Sequence, residues 1–139
     1  MVVRLLFVFL VTLLTTSTYG QTKVLTGRTI DEHFQPLSNA AIHTIDSTFT
    51  TRADEDGYFR IEVPVNTSKL VAWYVGLETD TFNIESKCYI NMLLLDDIKI
   101  EFQTVEEAKK FDKKRKKHKK PLYKEAIKKG ILKEEKFCS

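Results

Sequence analysis

Asp54, Glu55 and Asp56 stand directly before Gly57 in the stretch TTRADEDGYFRIEVP, and three acids against a glycine are material for a calcium loop. Such a loop needs oxygen ligands at its first, third, fifth and twelfth positions with glycine at the sixth, because a hard cation gathers six to eight oxygens. With Gly57 at the sixth position, Arg52 falls at the first and Val63 at the twelfth, where carboxylates are required. The same residues suit a hairpin. Asp56-Gly57 supplies the positive-φ turn, and Tyr58, Arg60 and Glu62 alternate with Phe59, Ile61 and Val63 as the two faces of a half-buried strand. Asp54, Asp56 and Gly57 are therefore expected to be structural turn residues, with no metal and no cofactor.

The three histidines, His33, His43 and His118, form no HExxH or HxxE pattern and stand beside no paired cysteines at ligand spacing. His43 and Asp46 lie three apart on an expected strand, so their side chains leave opposite faces and cannot make a dyad there. No GxSxG elbow, phosphate-binding glycine loop or dinucleotide fingerprint is present. The chain is expected to be no enzyme, with no catalytic residues.

A different chemistry is written in Lys113, Lys114, Arg115, Lys116, Lys117, Lys119 and Lys120, a block that cannot pack together in a core and could meet a polyanion. Gln21 to Ala108 carries 7 basic against 15 acidic residues, net −8, and Lys109 to Ser139 carries 14 against 4, net +10. An acidic body thus precedes a basic tail. No aromatic interrupts Lys113 to Lys120, so an anionic lipid or cell-wall polymer suits the block better than sequence-specific nucleic acid, whose readers interleave stacking rings.

Met1 to Gly20 has a positive start, an apolar run from Leu5 to Leu14, and small residues before Gln21. That is the grammar of a cleaved export signal, and the run is shorter than the roughly 20 residues of a membrane span. Periplasmic, outer membrane-associated or secreted location follows as an expectation. Cys88 and Cys138 would then meet an oxidising compartment. They could bridge tail to body, or be a buried strand residue and a terminal thiol.

Short β-capable runs separated by turn signals extend from Lys23 to Leu95, with no helix pattern before Thr104. The expectation is a mostly-β, seven-stranded antiparallel sandwich over residues 21–98. Its core is assigned to Leu25, Ile42, Phe59, Ile61, Val63, Leu70, Ala72, Trp73, Phe82, Ile84, Ile90, Met92 and Leu94. In residues 99–139, Thr104-Val105-Glu106-Glu107 reads as a capping box, with Val105, Ala108 and Phe111 as a thin apolar stripe. Pro121 reads as the first turn of a second helix, carrying Leu122, Ala126 and Ile127 and ending at Gly130. The body is expected to stay folded without this tail.

Gly27, Asp31, Pro36-Leu37, Thr50-Thr51, Asp54, Asp56-Gly57-Tyr58-Phe59, Val63-Pro64, Leu70 and Tyr74-Val75-Gly76, in that order, resemble the carboxypeptidase regulatory-like domain family. The resemblance implies a transthyretin-like (prealbumin-like) sandwich, common in envelope proteins of Bacteroidetes-type bacteria and often set ahead of TonB-dependent receptors. Here a basic segment follows it. The zinc-peptidase domain behind the family's name has no counterpart, so the resemblance implies a non-catalytic module that binds an envelope protein or glycan.

Overall fold

The computed structural model describes residues 2–4 and 20–138. Most of the leader expected over residues 1–20 lies outside the described residues. Among the described residues from 20 to 138, eight strands form two four-stranded sheets, and one helix lies between the seventh strand and the eighth. The strands are β1 (Thr22–Asp31), β2 (Ala41–Thr44), β3 (Thr50–Arg52), β4 (Tyr58–Pro64), β5 (Lys69–Trp73), β6 (Asp80–Asn83), β7 (Lys87–Leu94) and β8 (Lys136–Phe137), with helix α1 (Val105–Lys128) between β7 and β8. One sheet has the order β4-β1-β7-β8 and the other β3-β2-β5-β6. The fold is the expected mostly-β sandwich, with an eighth strand supplied by the tail. The pairing is antiparallel except between β1 and β7, which run parallel, the chain from β2 to β6 supplying the long crossover that parallel neighbours need.

The sandwich core follows the period-two rule. Leu25, Phe59, Ile61, Val63, Ile90 and Met92 face inward from one sheet, and Ile42, Leu70 and Ala72 from the other. Trp73 corrects the expected core. It follows inward Ala72, so it must leave the opposite face, and it stands 47% exposed. Phe82 is half-buried against the core edge.

The opening stretch is a corner rather than a hairpin within one sheet. β3 pairs with β2 and β4 with β1, so the turn between them passes the chain from one sheet to the other. Asp54 holds it: its Oδ1 accepts from the backbone N–H of Asp56 (3.0 Å) and of Tyr58 (2.9 Å). Gly57 takes φ +80°, a conformation that suits glycine, and its carbonyl accepts from the Thr29 N–H at 2.8 Å. Spending a carboxylate on local N–H groups is the chemistry of an Asx turn.

The tail is part of the fold. Thr104 caps α1, its hydroxyl accepting from Glu107 N–H at 3.2 Å, and the Glu107 carboxylate accepts from Gln103 N–H. α1 continues unbroken through Pro121, where two helices were expected. Pro121 and Lys117 both lie on the exposed side of α1, so the helical bond that proline removes is lost away from the docking face, which runs on from Arg115 to Ala126. Gly130, at φ +73°, closes the helix as the Ile131 N–H returns to the Ala126 carbonyl (2.9 Å) and the Gly130 N–H to that of Ile127 (3.0 Å). Val105 does not join an apolar stripe; it is exposed, and Phe111 packs instead on Phe102 at 5.2 Å between ring centroids.

Leu122, Tyr123, Ala126, Ile127 and Leu132 cover a second apolar cluster on the outer face of the first sheet, built from Ile30, Leu93 and Leu95. The Tyr123 hydroxyl accepts from Leu93 N–H at 2.9 Å, and burial pushes its pKa well above that of an ordinary phenol. The buried Asn91 donates to the Lys133 carbonyl at 2.6 Å, Lys87 pairs with Glu135 at 2.6 Å, and Cys88 is bonded to Cys138. The tail is thus docked on the body, where it buries one face of β1 and β7, and whether the body folds without it is a question for truncation.

Candidate functional site

α1 is two-sided, and its periodicity decides which cations are available. Phe111, Arg115, Lys119, Leu122 and Ala126 recur at steps of three and four and face the body. Lys110, Lys113, Lys117, Lys120 and Lys124 recur in the same way on the opposite side and are exposed. The basic block therefore divides. Arg115 donates to the Asp96 carbonyl and sets its Nε 3.4 Å from Glu78 Oε1, an ion pair without hydrogen-bond alignment. Lys119 pairs with Asp80 and lies over the Phe82 ring, 5.3 Å from its centroid. Lys116 pairs with Asp112 along the helix at 2.9 Å. Among the described residues, Lys113, Lys114, Lys117 and Lys120 make no ion pair.

Between α1 and the end of β5 runs a cleft of about 580 Å³. Trp73 and the loop Tyr74 to Thr79 form one wall; Asp112, Arg115, Lys116 and Lys119 form the other. The loop is fixed by backbone bonds from Glu78 N–H to the Leu95 carbonyl (2.8 Å) and from Asp97 N–H to the Gly76 carbonyl (3.1 Å). Trp73 offers a half-exposed indole beside carboxylates and cations whose positions are set by ion pairs. A rigid aromatic plane next to hydrogen-bonding groups of both signs suits a polar, hydroxyl-rich or peptide ligand. The sequence missed Trp73 as a surface residue because its run, KLVAWYV, is apolar throughout. The spacing of Phe111, Arg115, Lys119 and Leu122 was the signal that two of the cations turn inward.

At the end of the same seam, Glu32, His33 and Asp96 come together, each offering a donor atom within 4.8 Å of the others. His33 Nε2 lies 3.4 Å from Asp96 Oδ2. Burial, and next the Asp96 carboxylate beside it, raise the Glu32 pKa above the usual glutamate value. Linear motif searching does not find this group, because its members come from two loops far apart in the chain.

His43 and Asp46 make separate bonds. The His43 ring lies 2.8 Å from the Thr44 carbonyl oxygen, while Asp46 accepts from the Thr44 hydroxyl at 2.6 Å and from Thr48 N–H at 3.1 Å. Those two bonds, the Thr44 hydroxyl first, hold the Asp46 carboxyl below the usual aspartate range. No helix among the described residues is long and apolar enough to cross a membrane.

A family model described as the CarboxypepD_reg-like domain matches residues 25–105, from the middle of β1 to the first residue of α1. No curated protein matches the chain. The match covers the sheets from Leu25 through β7 and stops at the first residue of the helix that closes the cleft.

Proposed function

Because the chain belongs to the CarboxypepD_reg-like domain family, we propose that it serves as a non-catalytic, exported binding module of the bacterial cell envelope, receiving a glycan or protein partner in the cleft between α1 and Trp73. The observation that carries this reading is Trp73 itself, a large apolar side chain left 47% exposed at the edge of a fixed, charged cleft. Large aromatics set in such places tend to dominate binding energy. The Cys88–Cys138 disulfide supports export, since such bonds persist in oxidising compartments.

Trp73→Ala is expected to fold normally and to bind about thirtyfold more weakly, the effect of losing one aromatic hot spot worth about 2 kcal/mol. Immobilised wild-type and Trp73→Ala proteins, presented in parallel with solubilised envelope and with purified cell-wall glycan, provide the measurement. Equal retention of every species by both proteins would remove the cleft from the function.

The outward lysines favour a second reading, attachment to an anionic lipid or cell-wall polymer. Lys113, Lys114, Lys117 and Lys120 line the solvent side of α1 without ion pairs among the described residues, so the acidic body does not neutralise them. Each basic residue near an anionic surface is worth about 1 kcal/mol. Changing all four to glutamine should weaken binding to phosphatidylglycerol vesicles at least about tenfold at low salt, and wild-type binding should fall steeply as salt rises. Indifference of the intact protein to those vesicles at low salt would end this reading.

A further inference from the structure

We propose that Glu32, His33 and Asp96 form a binding site for a first-row divalent cation, with Zn²⁺ as the cation that suits them best. Their donor atoms lie within 4.8 Å of one another, and His33 Nε2 and Asp96 Oδ2 already stand 3.4 Å apart. Zinc takes nitrogen and carboxylate oxygen at about 2.0–2.2 Å, which places neighbouring ligands about 3–3.6 Å apart in a tetrahedral shell. Small side-chain rotations therefore close the set, and water completes the fourth position. One imidazole with two carboxylates argues against Ca²⁺ and Mg²⁺, which favour all-oxygen shells, and for a borderline transition metal.

The backbones that carry these donors are fixed. Asp31 Oδ1 accepts from His33 N–H (2.8 Å) and Gln35 N–H (2.9 Å), and the turn closes as the Asp31 N–H donates to the Gln35 carbonyl (3.0 Å). Phe34, at φ +64°, reverses the chain there. On the other side, Asp96 bridges Leu77, and its carbonyl accepts from Arg115. Donors held on such turns lose little freedom when they bind.

Charge balance points the same way. Two carboxylates share this corner, and the neighbouring cations are already engaged: Arg115 faces Glu78, and Lys129, which lies 5.0 Å from the Phe34 ring centroid, pairs with Glu125 at 2.8 Å. A cation bound among Glu32, His33 and Asp96 would offset the repulsion between the carboxylates and use the imidazole as its third donor.

The test uses untagged protein, cleared of metal by chelator and then titrated with zinc chloride by calorimetry and thermal unfolding. We expect about one zinc per chain and a melting temperature raised by about 3 °C or more at a hundredfold excess over Kd, reversed by chelator. His33→Ala and Asp96→Asn should each weaken binding at least tenfold, and His118→Ala should leave it unchanged. Absence of a zinc response, or a response that survives both site substitutions, would overturn the proposal. So would one abolished by His118→Ala.

Discussion

Valine in place of Gly27 is expected to leave the chain without a cooperative fold. Gly27 lies in the middle of β1, paired to Phe59 on one side and Ile90 on the other, and it is buried. A Cβ there would stand 2.0 Å from the Ile90 carbonyl oxygen and 2.8 Å from the Phe59 ring. The ring could rotate, but the carbonyl belongs to the ladder that holds β1 to β7. Relief therefore requires the central strands of the sheet to part. Overpacking a well-filled core costs about 1–3 kcal/mol, and displaced backbone adds to that. Against a total stability of about 5–15 kcal/mol, the loss should show as a sharply lowered urea midpoint or no transition. Gly27→Ala should fall in the same direction, and adding Phe59→Leu should restore little because the carbonyl contact remains. An unchanged midpoint for Gly27→Ala would contradict this account of the strand.

Gly27 also marks a limit of what the amino-acid sequence made legible. It reads there as a break in a β-branched run, and only the paired strands reveal the close backbone approach, whereas the alternation from Tyr58 to Val63 placed Phe59, Ile61 and Val63 in the core without further information. The Thr104 cap and the Gly130 stop were local chemistry and equally readable. Trp73 was not, since an unbroken apolar run hides its phase until neighbouring strands fix Ala72 inward. The turn at Asp54 could be recognised, but local signals do not say that its two strands enter different sheets. Nor could any spacing rule bring Asp96 to His33. Yet one sign of two-sided burial was present: Ile90 to Leu95 lacks alternation, as expected for a strand covered on both faces. The structure supplies the cover. Ile90, Met92 and Leu94 face the sandwich, while Leu93 and Leu95 lie with Ile30 in the second cluster beneath α1 and the segment after it.

That cover determines the outcome of truncation. A chain ending at Phe111 loses Leu122, Tyr123, Ala126, Ile127 and Leu132, so Ile30, Leu93 and Leu95 become solvent-facing. Uncovering large aliphatic side chains costs about 1.5–3 kcal/mol each. The same cut removes the carbonyls of Ile131 and Lys133, which accept from Arg28 and Asn91 at 2.6 Å each, so both donors are left to water. It also removes the Cys88–Cys138 bond, whose ends are 50 residues apart and whose loss alone typically costs about 2–5 kcal/mol. The combined loss is of the order of the whole stability of a small domain. The truncated protein should therefore be insoluble, or unfold in urea without a cooperative transition. Two milder variants separate the causes. Cys138→Ser should lower the urea midpoint while preserving cooperativity, and Ala126→Asp should lower it further by placing a charge against Leu93 and its neighbours. A truncated chain with the full-length midpoint would show that α1 rests on the sandwich without supporting it. The lysine substitutions on the outer face disturb none of these contacts, so a loss of surface binding in those variants can be assigned to charge, whereas truncation would confound charge with folding.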